Sequence, residues 1–154
     1  MSARVLIAYS DTGGGHRSAA RAIADAIVAQ RAGAVIDGCD VLAEYAPWPF
    51  RRMPAWYPRM IDRGAPVWGA GFALTDTPRR AAFMQRLAWP LVREGMMRLA
   101  SERRPDVVVT THPLLASPLR RVMPDVPLVT VVTDLVSGHA WWYDSCADLV
   151  VVPT

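Results

Sequence analysis

Lysine is absent from this 154-residue chain, and its 17 basic residues are all arginine. The net charge is only +3, but the isoelectric point near 9.3 favours anionic partners: nucleic acid, an anionic lipid surface or a phosphorylated substrate. We expect no nucleic acid, because the arginines are scattered and no helix-turn-helix, zinc finger or RNA-binding aromatic motif is present.

Cysteine and long apolar runs are also scarce. The spacing of Cys39 and Cys146 fits neither a zinc site nor a paired redox motif, and no secretory signal precedes Val5, so we expect a reducing, cytoplasmic setting. Hydrophobic residues make up 52% of the chain. No uninterrupted apolar segment approaches the roughly 20 residues that a bilayer-crossing helix needs. The composition is that of one globular domain.

Valine-rich runs alternate with helical patterns along the chain. We predict strands at 4–9, 34–41, 106–111, 127–134 and 147–154, and helices at 17–30, 79–103 and 114–122. In the first helix, Ala19, Ile23, Ala26 and Ile27 are expected to share a face. The proline-rich and aromatic segment 47–78 predicts irregular structure, and Pro90 predicts a kink or a division of its helix. Strands that are apolar throughout predict an α/β Rossmann-like parallel sheet with helices on both faces.

Polar residues collect where three of these strands end. In such sheets ligands bind beyond the carboxyl ends of the strands, near the switch in strand order. The residues that follow the first, third and fourth strands are therefore expected to form one site: Asp11, Thr12, Gly13, Gly14, Gly15, His16, His112, Thr133, Asp134, His139 and Trp141.

The triple glycine of this set lies between a strand and a helix. Glycines allow positive φ and close approach of another molecule, and the helix start offers unpaired amides and a positive dipole end. This arrangement suits an anion or a polar head group. It is not a P-loop, because no Gly-Lys-Ser/Thr follows, and it is not a clean dinucleotide fingerprint, because Ser18 replaces the third glycine or alanine. A tight turn with a purely structural purpose is the alternative.

The three histidines have different contexts. His16 at a helix start feels the positive dipole end, which lowers its pKa and favours a neutral imidazole that can accept a proton. The alternative for His16 is capping or packing at the turn. His112 and His139 are equally compatible with ligand binding and with a structural hydrogen-bonding role.

Four segments in the same order carry a family resemblance: "DTGGGHRSAA", "PDVVVTTHPLL", "VPLVTVVTDLVSGHAWWY" and "ADLVVVPT". They resemble the amino-terminal domain of the monogalactosyldiacylglycerol synthase and processive diacylglycerol glucosyltransferase family, glycosyltransferase family 28. The resemblance implies the amino-terminal half of a GT-B glycosyltransferase, in which this domain binds the acceptor lipid and a carboxyl-terminal domain binds the nucleotide sugar. Residues 1–154 are then the acceptor domain. The donor domain is expected to be absent from this chain, which alone should be inactive.

The resemblance also implies a mechanism. His16 is expected to remove the proton of the diacylglycerol hydroxyl as it attacks the sugar of UDP-galactose or UDP-glucose in one inverting step. Asp134 would orient or polarise a base, and the remaining strand-end residues would bind substrate. No Asp-X-Asp triplet is present, so we expect no metal and no cofactor. A non-catalytic lipid- or nucleotide-binding module is the alternative function.

The aromatic segment 45–60 indicates lipid independently. Its rings lie among arginines, a mixture typical of membrane interfaces. We expect contact with an anionic membrane, on the cytoplasmic inner face of the cell membrane, through Trp48, Phe50, Arg51, Arg52, Trp56 and Tyr57. The alternative is that these rings pack on the domain's own core. The run 65–74 admits the same two interpretations and is a candidate part of an acyl-chain groove.

Overall fold

The computed structural model describes residues 2–12, 14–134, 138–143 and 146–153, without the side chains of 60–63 and 65–68. The strands are β1 (Arg4–Tyr9), β2 (Val35–Asp40), β3 (Val107–Thr110), β4 (Leu128–Val131) and β5 (Leu149–Val151). The helices are α1 (Gly15–Gln30), α2 (Val41–Tyr45), α3 (Met53–Thr75), α4 (Pro78–Arg103) and α5 (Ala116–Val122). Two short 3-10 turns lie at Phe50–Arg52 and Ala140–Tyr143.

The five strands form one parallel sheet in the order β2-β1-β3-β4-β5. After β1 the chain adds β2 on one side, and it then returns to place β3 on the other side of β1. Parallel sheets open a crevice at such a reversal, outside the carboxyl ends of the two strands. The predicted α/β Rossmann-like sheet is confirmed, and its switch point lies between β1 and β3.

Alternation along the strands divides the core into two layers. On one face of the sheet, Leu6 of β1 belongs to a buried cluster with Leu99 of α4 and Leu119 of α5. On the other face, Ile7 packs with Ala20 of α1. Helices therefore cover both faces, as predicted. The buried side of α1 differs in detail from the prediction, because Ala20 lies in the core and Ala26 is exposed.

The prediction of irregular structure across 47–78 is wrong, because most of this segment is the helix α3. Pro54 lies in the first turn, where a missing amide N–H costs no hydrogen bond. The helix is interrupted at Gly64, whose φ of −126° and ψ of 20° are not helical. That break puts Pro66 near the start of the second part. Position thus explains Pro54 and Pro66, whereas Pro58 lies inside the first part of α3.

Helix α4 runs through Pro90 without being divided, contrary to one of the two predicted outcomes. It begins after Thr77, whose hydroxyl accepts the Arg80 amide. Gly95 lets α2 approach α4 closely, because a Cβ at this position would lie 1.9 Å from the backbone oxygen of Tyr45. Throughout the described part, each helix is too short or too polar to cross a bilayer.

Candidate functional site

The loops after β1, β3 and β4 converge at the switch point. The imidazole centroid of His16 lies 4.6 Å from that of His112 and 6.1 Å from the ring of Trp142. Thr133, more than a hundred residues along the chain from His16, contacts the same imidazole. The predicted convergence of these loops is therefore present in the fold.

The glycine turn starts helix α1. Gly14 caps the helix with a φ of 82°, a conformation that favours glycine, and Gly15 is the first helical residue. Gly13, predicted to bind substrate, lies outside the described residues. Asp40 fastens the turn from the neighbouring strand: its Oδ2 accepts the Asp11 amide at 3.1 Å, and its Oδ1 accepts the Ala43 amide of α2 at 3.0 Å.

The Asp11 side chain pairs with a residue of α1. Its carboxylate forms an ion pair with Arg17 at 2.8 Å. Thr12 is buried, and its hydroxyl lies 3.2 Å from His112 Nε2. Both predicted substrate residues thus have partners inside the protein, and their contact with substrate stays a prediction.

Two groups hold the His16 ring through one nitrogen. Nδ1 lies 2.6 Å from the backbone oxygen of Thr111 and 3.0 Å from the hydroxyl of Thr133. A carbonyl oxygen only accepts, so Nδ1 carries the hydrogen and Nε2 keeps its lone pair. The Thr111 hydroxyl also donates to the His16 backbone oxygen at 2.9 Å. The sequence did not identify Thr111 as the group that sets this tautomer.

Burial is the main cause that lowers the pKa of His16, whereas the hydrogen bond to Thr111 and the charge of Asp134 oppose that shift. The direction agrees with the sequence prediction, but the leading cause is burial rather than the helix dipole. A neutral imidazole with a free Nε2 lone pair is a proton acceptor.

His112 is buried and held at both nitrogens. Its Nδ1 accepts the Leu114 amide at 3.3 Å, so Nε2 carries the hydrogen and donates to Thr12. Burial, followed by the neighbouring His16, lowers the pKa of His112 to about 3. The structure therefore gives His112 a hydrogen-bonding role that joins the β3 loop to the glycine turn. Contact between His112 and substrate stays a prediction.

His139 repeats this arrangement on another loop. Its Nδ1 accepts the Trp141 amide at 3.2 Å, and Nε2 lies 3.0 Å from the Thr75 hydroxyl, which donates to the Gly71 oxygen. Phe72 meets the His139 ring edge-on at a centroid distance of 4.5 Å. Within the predicted acyl-groove run 65–74, Phe72 thus packs against His139. The side chains of 65–68 lie outside the described residues.

Asp134 acts on His16 indirectly. Its carboxylate accepts the indole N–H of buried Trp142 at 2.6 Å, and the Trp142 ring stands beside His16. The groups in contact with the imidazole nitrogen are Thr111 and Thr133 instead. Sequence reasoning missed Trp142. The tryptophan doublet at 141–142 was the available signal, but a short 3-10 turn has no periodicity that assigns its faces.

An apolar groove with a volume of about 270 Å³ adjoins the loops. It lies between α2, α4 and α5, and its walls include Leu42, Trp89 and Leu115. Leu115 follows His112 by three residues. Trp141, the neighbour of Trp142, also lines the groove. The sequence analysis did not anticipate this groove, because it depends on the packing of helices that are distant along the chain.

The residues predicted to contact a membrane divide into two groups. Trp48 and Trp56 are 71% and 40% exposed, and Arg51 and Arg52 are exposed. Phe50 is half-buried and lines the groove. Tyr57 is also half-buried; burial, and then the charge of Asp134, raises its pKa. Exposed rings and rings that pack inward are therefore both present.

Among the residues that the structure describes, no three His, Cys, Asp or Glu side chains lie close enough together to hold a metal ion.

The model of the monogalactosyldiacylglycerol (MGDG) synthase family matches residues 16–154. The chain belongs to the MGDG synthase family. This is a glycosyltransferase family of glycolipid biosynthesis, as the sequence resemblance implies.

Three curated relatives illustrate the similarity to MGDG synthases. The chain is 36% identical to a probable MGDG synthase 2, chloroplastic, of Oryza sativa subsp. indica, over 90% of this chain and 31% of the relative. It is 33% identical to MGDG synthase, chloroplastic, of Spinacia oleracea, over 91% and 28%. It is 30% identical to MGDG synthase 1, chloroplastic, of Arabidopsis thaliana, over 91% and 27%. No solved structure matches.

The chain spans between 27% and 31% of the length of these relatives. Their names also correct the sequence analysis on localisation. The expectation of a cytoplasmic protein on the inner face of the cell membrane is wrong, because these MGDG synthases are named chloroplastic.

Proposed function

We propose that this chain is the acceptor-binding part of an enzyme that transfers a hexose from a UDP-sugar to diacylglycerol. The observation that carries the proposal is the state of His16 at the switch point of the sheet. Its Nδ1 donates to Thr111, its pKa is lowered, and its Nε2 is left able to take a proton. A base of this kind, in a domain whose apolar groove is lined by Trp141, the neighbour of Trp142, suits an acceptor that has a hydroxyl group and acyl chains.

The proton transfer follows from this tautomer. As the acceptor hydroxyl oxygen attacks the anomeric carbon, Nε2 of His16 takes its proton, and the bond from that carbon to the nucleoside diphosphate breaks with inversion. The resulting imidazolium donates from both nitrogens. Thr111 O accepts from Nδ1, and the negative charge of Asp134 favours the protonated ring. Asp134 therefore assists the base through its field and through Trp142.

The groove and the glycine turn would hold different parts of the substrates. An acyl chain of the acceptor would lie between Leu42, Trp89 and Leu115, where the lining is apolar. The amides at the start of α1 would face a polar head group or the donor's diphosphate. Exposed Trp48 and Trp56, with Arg51 and Arg52, would contact an anionic membrane surface from which the lipid is taken.

The donor, UDP-galactose or UDP-glucose, would be bound mainly by residues outside 1–154, in a second Rossmann-like domain of a GT-B enzyme. The supporting fact is that the chain matches only 31% of the Oryza sativa relative and 28% of the Spinacia oleracea relative. Residues 1–154 alone are expected to transfer no hexose. Incubation with diacylglycerol and each UDP-sugar checks this, and robust turnover would overturn the two-domain assignment.

His16→Ala in a protein of the relatives' length tests the catalytic role. Loss of a general base typically lowers turnover on the order of a hundredfold to ten-thousandfold. Turnover is corrected for the folded fraction, and vesicle binding is measured in parallel and should be unchanged. His139→Gln is the comparison: its loss should be smaller than that of His16→Ala, because His139 is held by Trp141 and Thr75 and is proposed to transfer no proton, while its contact with substrate stays a prediction.

A loss below about tenfold for His16→Ala would be too small for removal of a base. That result would reassign His16 to the scaffold of the turn. If the complete protein also failed to transfer hexose, the alternative of a non-catalytic lipid- or nucleotide-binding module would replace the enzymatic proposal.

A further inference from the structure

A short turn holds Trp142 against the His16 ring. Trp142 is buried, its ring centroid lies 6.1 Å from that of His16, and its indole N–H donates to Asp134 at 2.6 Å. The turn that carries this ring, Ala140–Tyr143, is a 3-10 turn of only four residues. Because 3-10 turns have poor internal hydrogen-bond geometry, the orientation of such a large ring depends on contacts from other parts of the fold.

His139 supplies several of these contacts. Its backbone oxygen accepts the Trp142 amide at 2.9 Å, its Nδ1 accepts the Trp141 amide at 3.2 Å, and its ring lies 4.3 Å from that of Trp141. Since Nδ1 of the neutral ring accepts, Nε2 carries the hydrogen and donates to the Thr75 hydroxyl at 3.0 Å. His139 is 3% exposed, so these bonds form away from water, where hydrogen bonds are strongest.

The last turn of α3 is the other end of this connection. Thr75 donates its hydroxyl hydrogen to the Gly71 oxygen at 2.8 Å, so its own oxygen is left to accept from His139. Phe72, also in this turn, meets the imidazole edge-on. The side chain of His139 is therefore fixed by α3, which lies far from it in sequence.

A second bond runs beside the first. Directly after α3, Asp76 Oδ1 accepts the Ala140 amide at 2.8 Å. Each of the two bonded pairs, Thr75 with His139 and Asp76 with Ala140, is 64 positions apart along the chain. Two consecutive residues at the end of α3 thus hold two consecutive residues at the start of the turn.

We propose that His139 is a positioning residue of the site: through Thr75 it fixes the turn that presents Trp142 to the His16 imidazole. Because the ring that it positions packs on the proposed base, this role rests on the proposed function. His139 needs no contact with the reacting atoms to act in this way. A displacement at the end of α3 would reach the surroundings of His16 through one imidazole and one indole.

Thr75→Val tests the connection, because it removes the partner of His139 Nε2 and keeps the branched shape of the side chain. Thr77→Val is the matched control, since the Thr77 hydroxyl also makes one hydrogen bond in this segment, to the Arg80 amide at the start of α4. Hydrogen exchange of the Trp142 indole is followed by NMR in residues 1–154. It should be faster in Thr75→Val than in the control on the order of fivefold, the effect of one lost hydrogen bond. Thr75→Ser keeps the hydroxyl and should restore slow exchange.

The titration of His16 gives a second signature. Burial is the main cause of its lowered pKa, and Trp142 is one of the rings around it. If Trp142 loosens, water reaches the imidazole, and the pKa of His16 should rise towards 6.5 in Thr75→Val but not in Thr77→Val. His112 and Asp134, the other titrating groups that act on His16 or lie against it, are present in both variants.

A double substitution shows whether Thr75 acts through His139. In His139→Asn the amide oxygen can take the place of Nδ1 for the Trp141 amide, while the bond from Nε2 to Thr75 is lost. Thr75→Val/His139→Asn should then exchange its Trp142 indole no faster than His139→Asn alone. Effects that add would mean that the two residues act independently, and they would overturn the proposal. If His139→Asn does not fold, the Thr75 variants still give both signatures.

The proposal is also overturned if Thr75→Val leaves the indole exchange and the His16 titration at the values of Thr77→Val. His139 would then stabilise the fold without orienting Trp142. Neither measurement needs turnover. Retained turnover in His16→Ala would refute the catalytic proposal and leave the position of Trp142, as measured by exchange, unchanged.

Discussion

The strand-end loops and the outer helices depart from the usual distribution of residues in opposite ways. Around the ends of β1 and β3, the polar side chains of Thr12, Thr111 and His112 are buried. Along α4, large apolar side chains such as Phe83 and Leu87 are more than half exposed. Buried polar groups and exposed apolar patches are the informative exceptions to the ordinary pattern.

The two regions differ in whether the domain itself compensates for these unfavourable placements. In the loops each imidazole has hydrogen-bond partners, which offset the loss of water around it. On α4 the exposed side chains gain nothing from folding. The two buried imidazoles of the loops are therefore paired within the fold, whereas the outer side of α4, with Phe83 and Leu87, stays exposed. Three measurements would break or sharpen this comparison.

The largest effect is expected from acid. The pKa of His112 is lowered from 6.5 to about 3 in the folded state, so below pH 6.5 the unfolded chain binds a proton that the folded chain does not. The free energy of unfolding should thus fall as pH decreases from 6.5 to 3, by as much as about 5 kcal/mol from this residue. His16, whose pKa is also lowered, adds to the loss in the same direction.

Urea unfolding across that pH range, in the unsubstituted chain and in His112→Gln, measures this contribution. The variant removes the titrating group but not the carboxylates, so its pH dependence should be shallower. Parallel curves for the two proteins would mean that His112 is accessible to water and protons, and the loops would no longer contrast with α4.

A smaller effect on the free energy of unfolding is expected from the same Leu→Ala substitution on the two sides of α4. Leu99 is fully buried, so Leu99→Ala should lower the free energy of unfolding by about 3 kcal/mol. Leu87→Ala removes the same atoms from an exposed position and should change it by less than about 0.5 kcal/mol. Denaturant midpoints at constant m-value give both numbers. Equal losses would show that Leu87 is packed in solution.

The smallest effect concerns Asp134. Asp134→Asn keeps an oxygen for the Trp142 indole and should cost less than about 1 kcal/mol, but it removes a charge that raises the pKa of His16. The His16 titration, followed by NMR, should therefore move to lower pH. Asp134→Ala is the control for packing, because it leaves the buried indole N–H unpaired. An unchanged or higher titration midpoint would remove Asp134 from the electrostatics of the site.

The sheet could be predicted because valine-rich runs strongly favour buried strands. Helices between these strands make the sheet parallel, so the carboxyl ends of the strands lie at the same edge. Helix α3 could not be predicted, because the many prolines and aromatic residues of 47–78 indicated irregular structure, although a first-turn position such as that of Pro54 tolerates proline. Predicted strands also ran past their true ends: β4 stops at Val131, which leaves Thr133 in the loop where it reaches His16.

The sequence predicted which loops come together more reliably than it predicted the individual contacts between them. His16 and Thr133 are together as the loop argument required. Which group faces the imidazole could not be deduced, because Thr111 contributes a backbone oxygen that has no sequence signature. The groove and the outer face of α4 both depend on which side of a helix the rest of the fold covers, and periodicity alone does not supply that information.

Asp40 connects the groove to the loop that carries His16. One oxygen of its carboxylate holds the first turn of α2, a wall of the groove, and the other holds the amide of Asp11, where the glycine turn begins. Helix α2 cannot swing outward to admit a bulkier chain without straining or breaking one of these two bonds. The width of the apolar groove and the position of the glycine turn are therefore coupled through one carboxylate.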